Sequence, residues 1–244
     1  MNPAGITDKG KLRANNEDAF FMSGTRFYKL PNLFIVADGM GGHNAGEVAS
    51  AEAIAFFKQF CAKAPLRKKE ILDYLIAGCV YANNNVYEMS EKNINYSGMG
   101  TTFSVCVMSE GRLYIAHIGD SRVYAVYDDK LKLLTVDHTY VFEMLRLGQI
   151  TEQQARTHPK RNMLIRVLGV ERDVKFDGTV FEIDGCRKIL LCTDGLTNML
   201  SEDDILSRMH GDNETIAADL AEQALINGGA DNLTLILFDA GVDR

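Results

Sequence analysis

Short apolar runs, each closed by a turn residue, alternate along this chain with two long stretches whose apolar positions recur at helical spacing. Residues 33–37 (Leu-Phe-Ile-Val-Ala) predict a buried strand. Residues 46–60 predict a helix with small residues, Ala49 and Ala53, on one face and bulk on another. A second helix is expected over 66–90, where Ile71, Leu75, Cys79 and Ala82 share a face. Strands follow at 101–108, 112–118 and 122–126, punctuated by Glu110-Gly111 and Gly119-Asp120, and Asp128-Asp129-Lys130 turns the chain into another at 131–136. Strands are also expected at 175–181, 188–192 and 233–237. Ser201 to Asp204 reads as a capping box opening a helix; Asn213 is expected to cap the next, which Asn227-Gly228-Gly229 stops.

Residues 139–170 differ from the rest, with two short helical pieces at 141–147 and 152–156 and many His, Arg and Gly residues. They predict a mobile flap beside a site. Because the strands arrive as hairpins and not as βαβ units, the expected class is α+β, with antiparallel sheets, helices packed outside them, and residues 1–244 forming one domain.

Composition narrows the function classes. An apolar fraction of 46% and a charged fraction of 24% suit a soluble globular protein. No run of about 18 uncharged apolar residues occurs, so no membrane insertion is expected. The first residues lack a basic segment followed by an apolar one, which points to the cytoplasm. Cys61, Cys79, Cys106, Cys186 and Cys192 form no CxxC pair and read as reduced, buried thiols. A net charge of −7 argues against nucleic acid as a partner.

The chemistry is carried by carboxylates placed where apolar runs meet tight turns. Glu17 and Asp18 follow Asn16, Asp38-Gly39 ends the 33–37 run, Asp194-Gly195 ends Ile189 to Thr193, and Asp231-Asn232 opens the last strand. Brought to one end of the sheets, these acids would repel one another unless hard divalent cations sat among them. Mg²⁺ and Mn²⁺ prefer octahedral oxygen coordination, and two such ions about 3.5–4 Å apart can share and deprotonate a water. Asp38 is suited to bridge them, since it ends a rigid strand and Gly39 lets the backbone come close to a metal.

Six stretches occur in order: Arg13 to Asp18, Val36 to His43, Gly98 to Thr102, Gly119 to Arg122, Thr193 to Gly195, and Gly229 to Asn232. Together they resemble the bacterial PPM (PP2C-type) metal-dependent serine/threonine protein phosphatases, from about residue 5 to residue 239. The resemblance implies a sandwich of two antiparallel β-sheets flanked by helix pairs, with Mn²⁺ or Mg²⁺ at one end. It implies one metal on Asp38, Asp194 and Asp231, a second on Glu17, Asp38 and the Gly39 carbonyl, and a third on Asp120 and Asp194. Asp18 and Asn232 would support these ligands, Arg13 would clamp the phosphate, and Thr101 and Thr102 would brace the site.

The reaction implied is in-line attack on phosphoserine or phosphothreonine in proteins by a hydroxide bridging the ions, with no phosphoenzyme. Where many relatives carry a histidine after Asp-Gly this chain has Met40 and carries His43 three residues further on, which leaves His43 or a metal-bound water as the acid. His117 reads as a satisfied near-core residue, His138, His158 and His210 as structural or solvent-facing, and Arg122 as one half of a structural pair. The implied partners are phosphoprotein substrates and a serine/threonine kinase that the enzyme counteracts; a monomer is expected. Alternatives are a phosphatase specific for anti-sigma-factor antagonists, which the Arg13 and Asn16-Glu17-Asp18 opening disfavours, and a non-catalytic pseudophosphatase, which the retained Asp38, Asp194 and Asp231 disfavour.

Overall fold

The computed structural model describes residues 1–42, 45–66 and 70–241, and in it the apolar runs become two antiparallel sheets. The first sheet has the order β1 (Ala4–Asp8), β11 (Leu233–Asp239), β10 (Lys188–Cys192), β7 (Arg122–Val126) and β8 (Leu131–Leu133). The second has the order β2 (Asp18–Ser23), β3 (Leu33–Met40), β5 (Phe103–Ser109), β6 (Arg112–Ile118) and β9 (Asp177–Glu182), and a short β4 (Gly100–Thr101) pairs with the end of β3.

The period of two in each strand sorts side chains into three apolar layers. On β3, Leu33, Ile35 and Ala37 face α1 (Ala45–Lys63) and α2 (Ile71–Lys92), while Phe34 and Val36 face the other sheet. Between the sheets, Phe34 stacks on Phe238 with ring centroids 3.8 Å apart. On the far side, Leu190, Cys192, Leu235 and Leu237 pack against α5 (Asp194–Thr197), α6 (Glu202–Ser207) and α7 (Asn213–Ile226). The result is the α-β-β-α sandwich expected from the sequence.

The rows that face between the sheets end in polar residues at one end of the sandwich. Phe20 and Val36 are succeeded on their strands by Asp18 and Asp38, Cys106 and Ile115 by Ser104 and His117, and Leu191 and Ile236 by Thr193 and Thr234. That end is where the site lies.

Several boundaries differ from expectation. The second helix begins at Ile71, not 66. The strand expected over 131–136 ends at Leu133, because the Thr135 hydroxyl accepts the Val123 N–H that a ladder carbonyl would take. The strand expected from 175 begins at Asp177. Asp212, not Asn213, caps α7 by accepting the Thr215 N–H; Asn213 is buried and its amide donates to the Asn2 carbonyl. Ser201 and Asp204 form the expected capping box. Among the described residues no helix is long and apolar enough to cross a membrane. The five cysteines are free, four of them buried.

Candidate metal centre

Strand register sets Asp18 directly opposite Asp38. Like charges in that relation destabilise a sheet unless something neutralises them. The Asp38 backbone is held from both sides: its N–H donates to Thr102 Oγ1 at 2.9 Å, and its carbonyl accepts from Thr101 Oγ1 and from the Thr102 N–H, both at 2.9 Å. Its carboxylate takes no hydrogen bond from the described residues. That carboxylate keeps some exposure at the mouth of the sandwich. Even so, protein atoms surround it enough that burial is the largest push on its pKa, followed by Asp18, Asp194, Asp120 and Asp231, and together they raise it well above the ordinary range.

Asp18 accepts the Thr193 hydroxyl on Oδ2 at 2.8 Å, while its buried Oδ1 has no partner among the described residues. Burial raises its pKa to about 7. Asp120 is pushed up to about 8 by burial and by Asp194 and Asp137, and Asp194 to about 6 by burial and Asp231. Glu17 is also raised, first by burial, with Arg13 pulling the other way.

Close backbone packing brings these groups together. A Cβ on Gly39 would strike the Gly46 carbonyl, and one on Gly195 would strike the Asn232 carbonyl, so both positions need glycine. Asn232 joins the two ends of the chain: its Oδ1 accepts the Glu17 N–H at 2.8 Å, and its Nδ2 donates to the Lys9 and Asn15 carbonyls. Ser50 Oγ donates to the Glu17 carbonyl at 2.6 Å. Arg13 Nη2 reaches Asp231 Oδ2 at 2.7 Å, and Asn198 Nδ2 reaches Asp194 Oδ2 at 3.0 Å.

Glu17, Asp18, Asp38, Asp120, Asp194 and Asp231 therefore share one electrostatic field. As their side chains stand, however, no three acids, histidines or thiols among the described residues converge on one point as ligands. Arg13 and Asn198 turn two of them aside. The donor set is all oxygen, and Asp18 Oδ1 is a buried acceptor with no partner among the described residues. That chemistry fits a hard divalent cation.

His43, the sequence's nearest acid, lies outside the described residues. Arg122 makes the expected structural pair, a two-pronged contact with Asp137. His117 is buried and satisfied. Sequence reasoning assigned no role to Asn198, Ser50 or Thr193. Asn198 had a signal, standing one helical turn after Asp194 on α5 and its C-cap.

Comparison with known proteins places the whole chain. The family model described as protein phosphatase 2C matches residues 11–225. The chain is 38% identical over 240 residues to the serine/threonine phosphatase stp of Listeria welshimeri, covering 96% of this chain and 93% of that one. Its structure resembles that of serine/threonine phosphatase Stp1 from Staphylococcus aureus, with a TM-score of 0.91 and 33% identity over 99% of this chain and 95% of that chain. It also resembles the catalytic domain of the phosphatase PstP in complex with two manganese ions, with a TM-score of 0.84 and 34% identity over 98% of this chain and 97% of that chain.

Proposed function

The chain belongs to the protein phosphatase 2C family and is an enzyme of the protein phosphatase class, and from that premise we propose that it hydrolyses phosphoserine and phosphothreonine in proteins at a centre of two divalent cations, Mn²⁺ or Mg²⁺. Asp38, Asp194 and Asp231 would hold one cation, Glu17 and Asp38 with the Gly39 carbonyl would hold the other, and Asp120 with Asp194 would offer a third position. When bound, the cations supply positive charge to the phosphoryl oxygens and acidify a water.

The protein's own residues do the rest. Arg13 is half-exposed and rests on Asp231 at the mouth, where its guanidinium can turn to two phosphoryl oxygens at once. Thr101 and Thr102 fix the Asp38 backbone, and Asn232 fixes Glu17 relative to Asp231. Asp18, opposite Asp38 in the ladder, repels the Asp38 carboxylate and so opposes its turning toward β2. The same reading takes residues 1–244 as one domain, with 139–170 as a flap beside the site. The protein acts as a cytoplasmic monomer on phosphoproteins, counteracting a serine/threonine kinase.

The observation that carries this reading is the Asp18–Asp38 pair, two opposed acids at the end of an apolar sandwich with a buried oxygen that has no partner among the described residues. Phosphate release from a phosphothreonine peptide in Mn²⁺, repeated with excess EDTA, tests it. Turnover that EDTA abolishes is the expected result. A folded, Mn²⁺-loaded protein without turnover would overturn the catalytic reading, and EDTA-resistant turnover would overturn the metal reading.

A further inference from the structure

Residues 139–170 leave and rejoin the sandwich through a narrow stem. Thr139 pairs with Leu164, the Tyr140 N–H donates to the Met163 carbonyl at 2.8 Å, and the Ile165 N–H donates to the His138 carbonyl at 2.9 Å. Asp177, the first residue of β9, stands against both limbs of this stem. One carboxylate oxygen, Oδ2, lies 3.1 Å from His138 Nε2 on the entering limb; the other, Oδ1, accepts Arg166 Nη1 at 2.9 Å on the leaving limb. Arg166 Nη1 also donates to the Lys175 carbonyl.

His138 passes this contact on to the Gly119–Asp120 turn. The Gly119 N–H donates to His138 Nδ1 at 3.0 Å, and the His138 N–H donates to the Gly119 carbonyl at 2.8 Å. With its Nδ1 lone pair occupied, the neutral ring carries its proton on Nε2, and that N–H donates a hydrogen bond to Asp177 Oδ2. The ring is only 3% exposed, so it has no room to turn away. Gly119 is fixed as well, at φ +106°, where a Cβ would strike the Thr102 side chain. The leaving limb has its own anchor. Leu168 and Thr101 exchange backbone hydrogen bonds, both 2.9 Å, and Asn83 Oδ1 accepts the Gly169 N–H at 2.8 Å. The entering limb thus hangs from the turn that carries Asp120, and the leaving limb from β4, whose Thr101 Oγ1 donates to the Asp38 carbonyl.

We propose that Asp177 is a positioning residue for the active site: by gripping His138 and Arg166 on its two oxygens, it closes the stem of residues 139–170 onto the Gly119–Asp120 turn, so that opening the stem and displacing Asp120 are one movement. With Asp177 36% and Arg166 29% exposed, their ion pair is too wet to carry the stability of the fold. Its effect is local. The proposal rests on the phosphatase reading only for the kinetic half of its test.

Asp177→Ala removes both contacts, Arg166→Lys keeps a cation within reach of Asp177, and Arg112→Ala breaks a neighbouring ion pair, to Glu182 on the same strand, without touching the stem. Hydrogen exchange on the protein without substrate is the first readout. In Asp177→Ala, amides at 118–121 and at 163–166 should exchange about tenfold faster together, with β11 unchanged; Arg112→Ala should match the wild type at both. Faster exchange at 163–166 with wild-type exchange at 118–121 would overturn the coupling. Kinetics on p-nitrophenyl phosphate and a phosphothreonine peptide are the second. In Asp177→Ala, kcat should fall about tenfold on both substrates with KM within about twofold, and Arg166→Lys should keep most of the wild-type kcat. Unchanged kcat, or a rise confined to the peptide KM, would overturn the proposal. A wild-type protein that turns over neither substrate would sink the phosphatase reading instead, and the exchange pattern alone would then decide the coupling.

Discussion

Ser104 faces His117 across β5 and β6, and in the same sheet Asp18 faces Asp38 across β2 and β3. Both pairs end inward-facing apolar rows at the same end of the sandwich, yet their chemistry is opposite. In the first, the Val136 carbonyl accepts from His117 Nε2, so Nδ1 is free to accept the Ser104 hydroxyl at 2.8 Å. Every polar group has a complement. In the second, acceptor faces acceptor, and Asp18 Oδ1 has no partner among the described residues. A complete network at this position holds the sheet end in one arrangement, whereas an incomplete one is a demand for positive charge. The fold thus places structure and function side by side by changing only what ends the row.

The largest test removes a member of the incomplete set. Asp231→Ala should cut turnover by about a thousandfold or more while leaving the thermal unfolding profile that of a folded protein, because it deletes a ligand and no core contact. Active Asp231→Ala would undo the metal assignment. Next come substitutions whose effects on stability should have opposite signs. Ser104→Ala strands His117 Nδ1 and should cost about 1–3 kcal/mol. Asp38→Asn, measured in EDTA, removes one of two opposed charges and should stabilise by up to about 1 kcal/mol. Urea unfolding of both variants checks the contrast, and a shared sign would break it.

The pH profile sharpens the comparison further. Burial, with His138 second, pushes the His117 pKa down to about 3, while an unfolded histidine titrates near 6.5. As pH falls below 6.5 the unfolded chain takes the proton first, so the fold loses about 1.4 kcal/mol per unit from this group over the window down to about 3. The raised carboxylates act in the opposite sense, gaining protons in the folded state as pH falls. The slope difference between wild type and His117→Gln isolates the histidine; equal slopes would show it titrating normally. The smallest effect belongs to Arg13→Ala, which should raise KM about tenfold with little change in kcat. A loss confined to kcat would place Arg13 in the transition state alone.

Most of the sandwich is legible in the sequence where a strand is buried on both faces and bounded by turns. β6, β7 and β10 match their expected ranges residue for residue. β6 opens at a hairpin in which Glu110 and Gly111 both have positive φ. β1 and β2 lack that signal, with one fully buried residue each. The carboxylates were legible because each sits at a strand-to-turn junction. What the sequence does not carry is register. The facing of Asp18 and Asp38, the grip of Asn232 on Glu17, and the two contacts of Asp177 depend on which residues meet across strands far apart in the chain. No local pattern encodes that.

β11 lies between β1 and β10, pairing Ala4 with Leu237 on one side and Lys188 with Asp239 on the other, and Asp231 and Asn232 lead directly into it. During synthesis β1 emerges first and must wait, unpaired, for a partner made more than two hundred residues later. Until then nothing joins β1 to β10 in the first sheet, Glu17 lacks the side chain that accepts its amide, and Asp194 lacks its acidic neighbour. Structural completion and catalytic competence therefore arrive in the same late step. A chain stopped short of that strand would lack Asp231, Asn232 and the partner of β1 together.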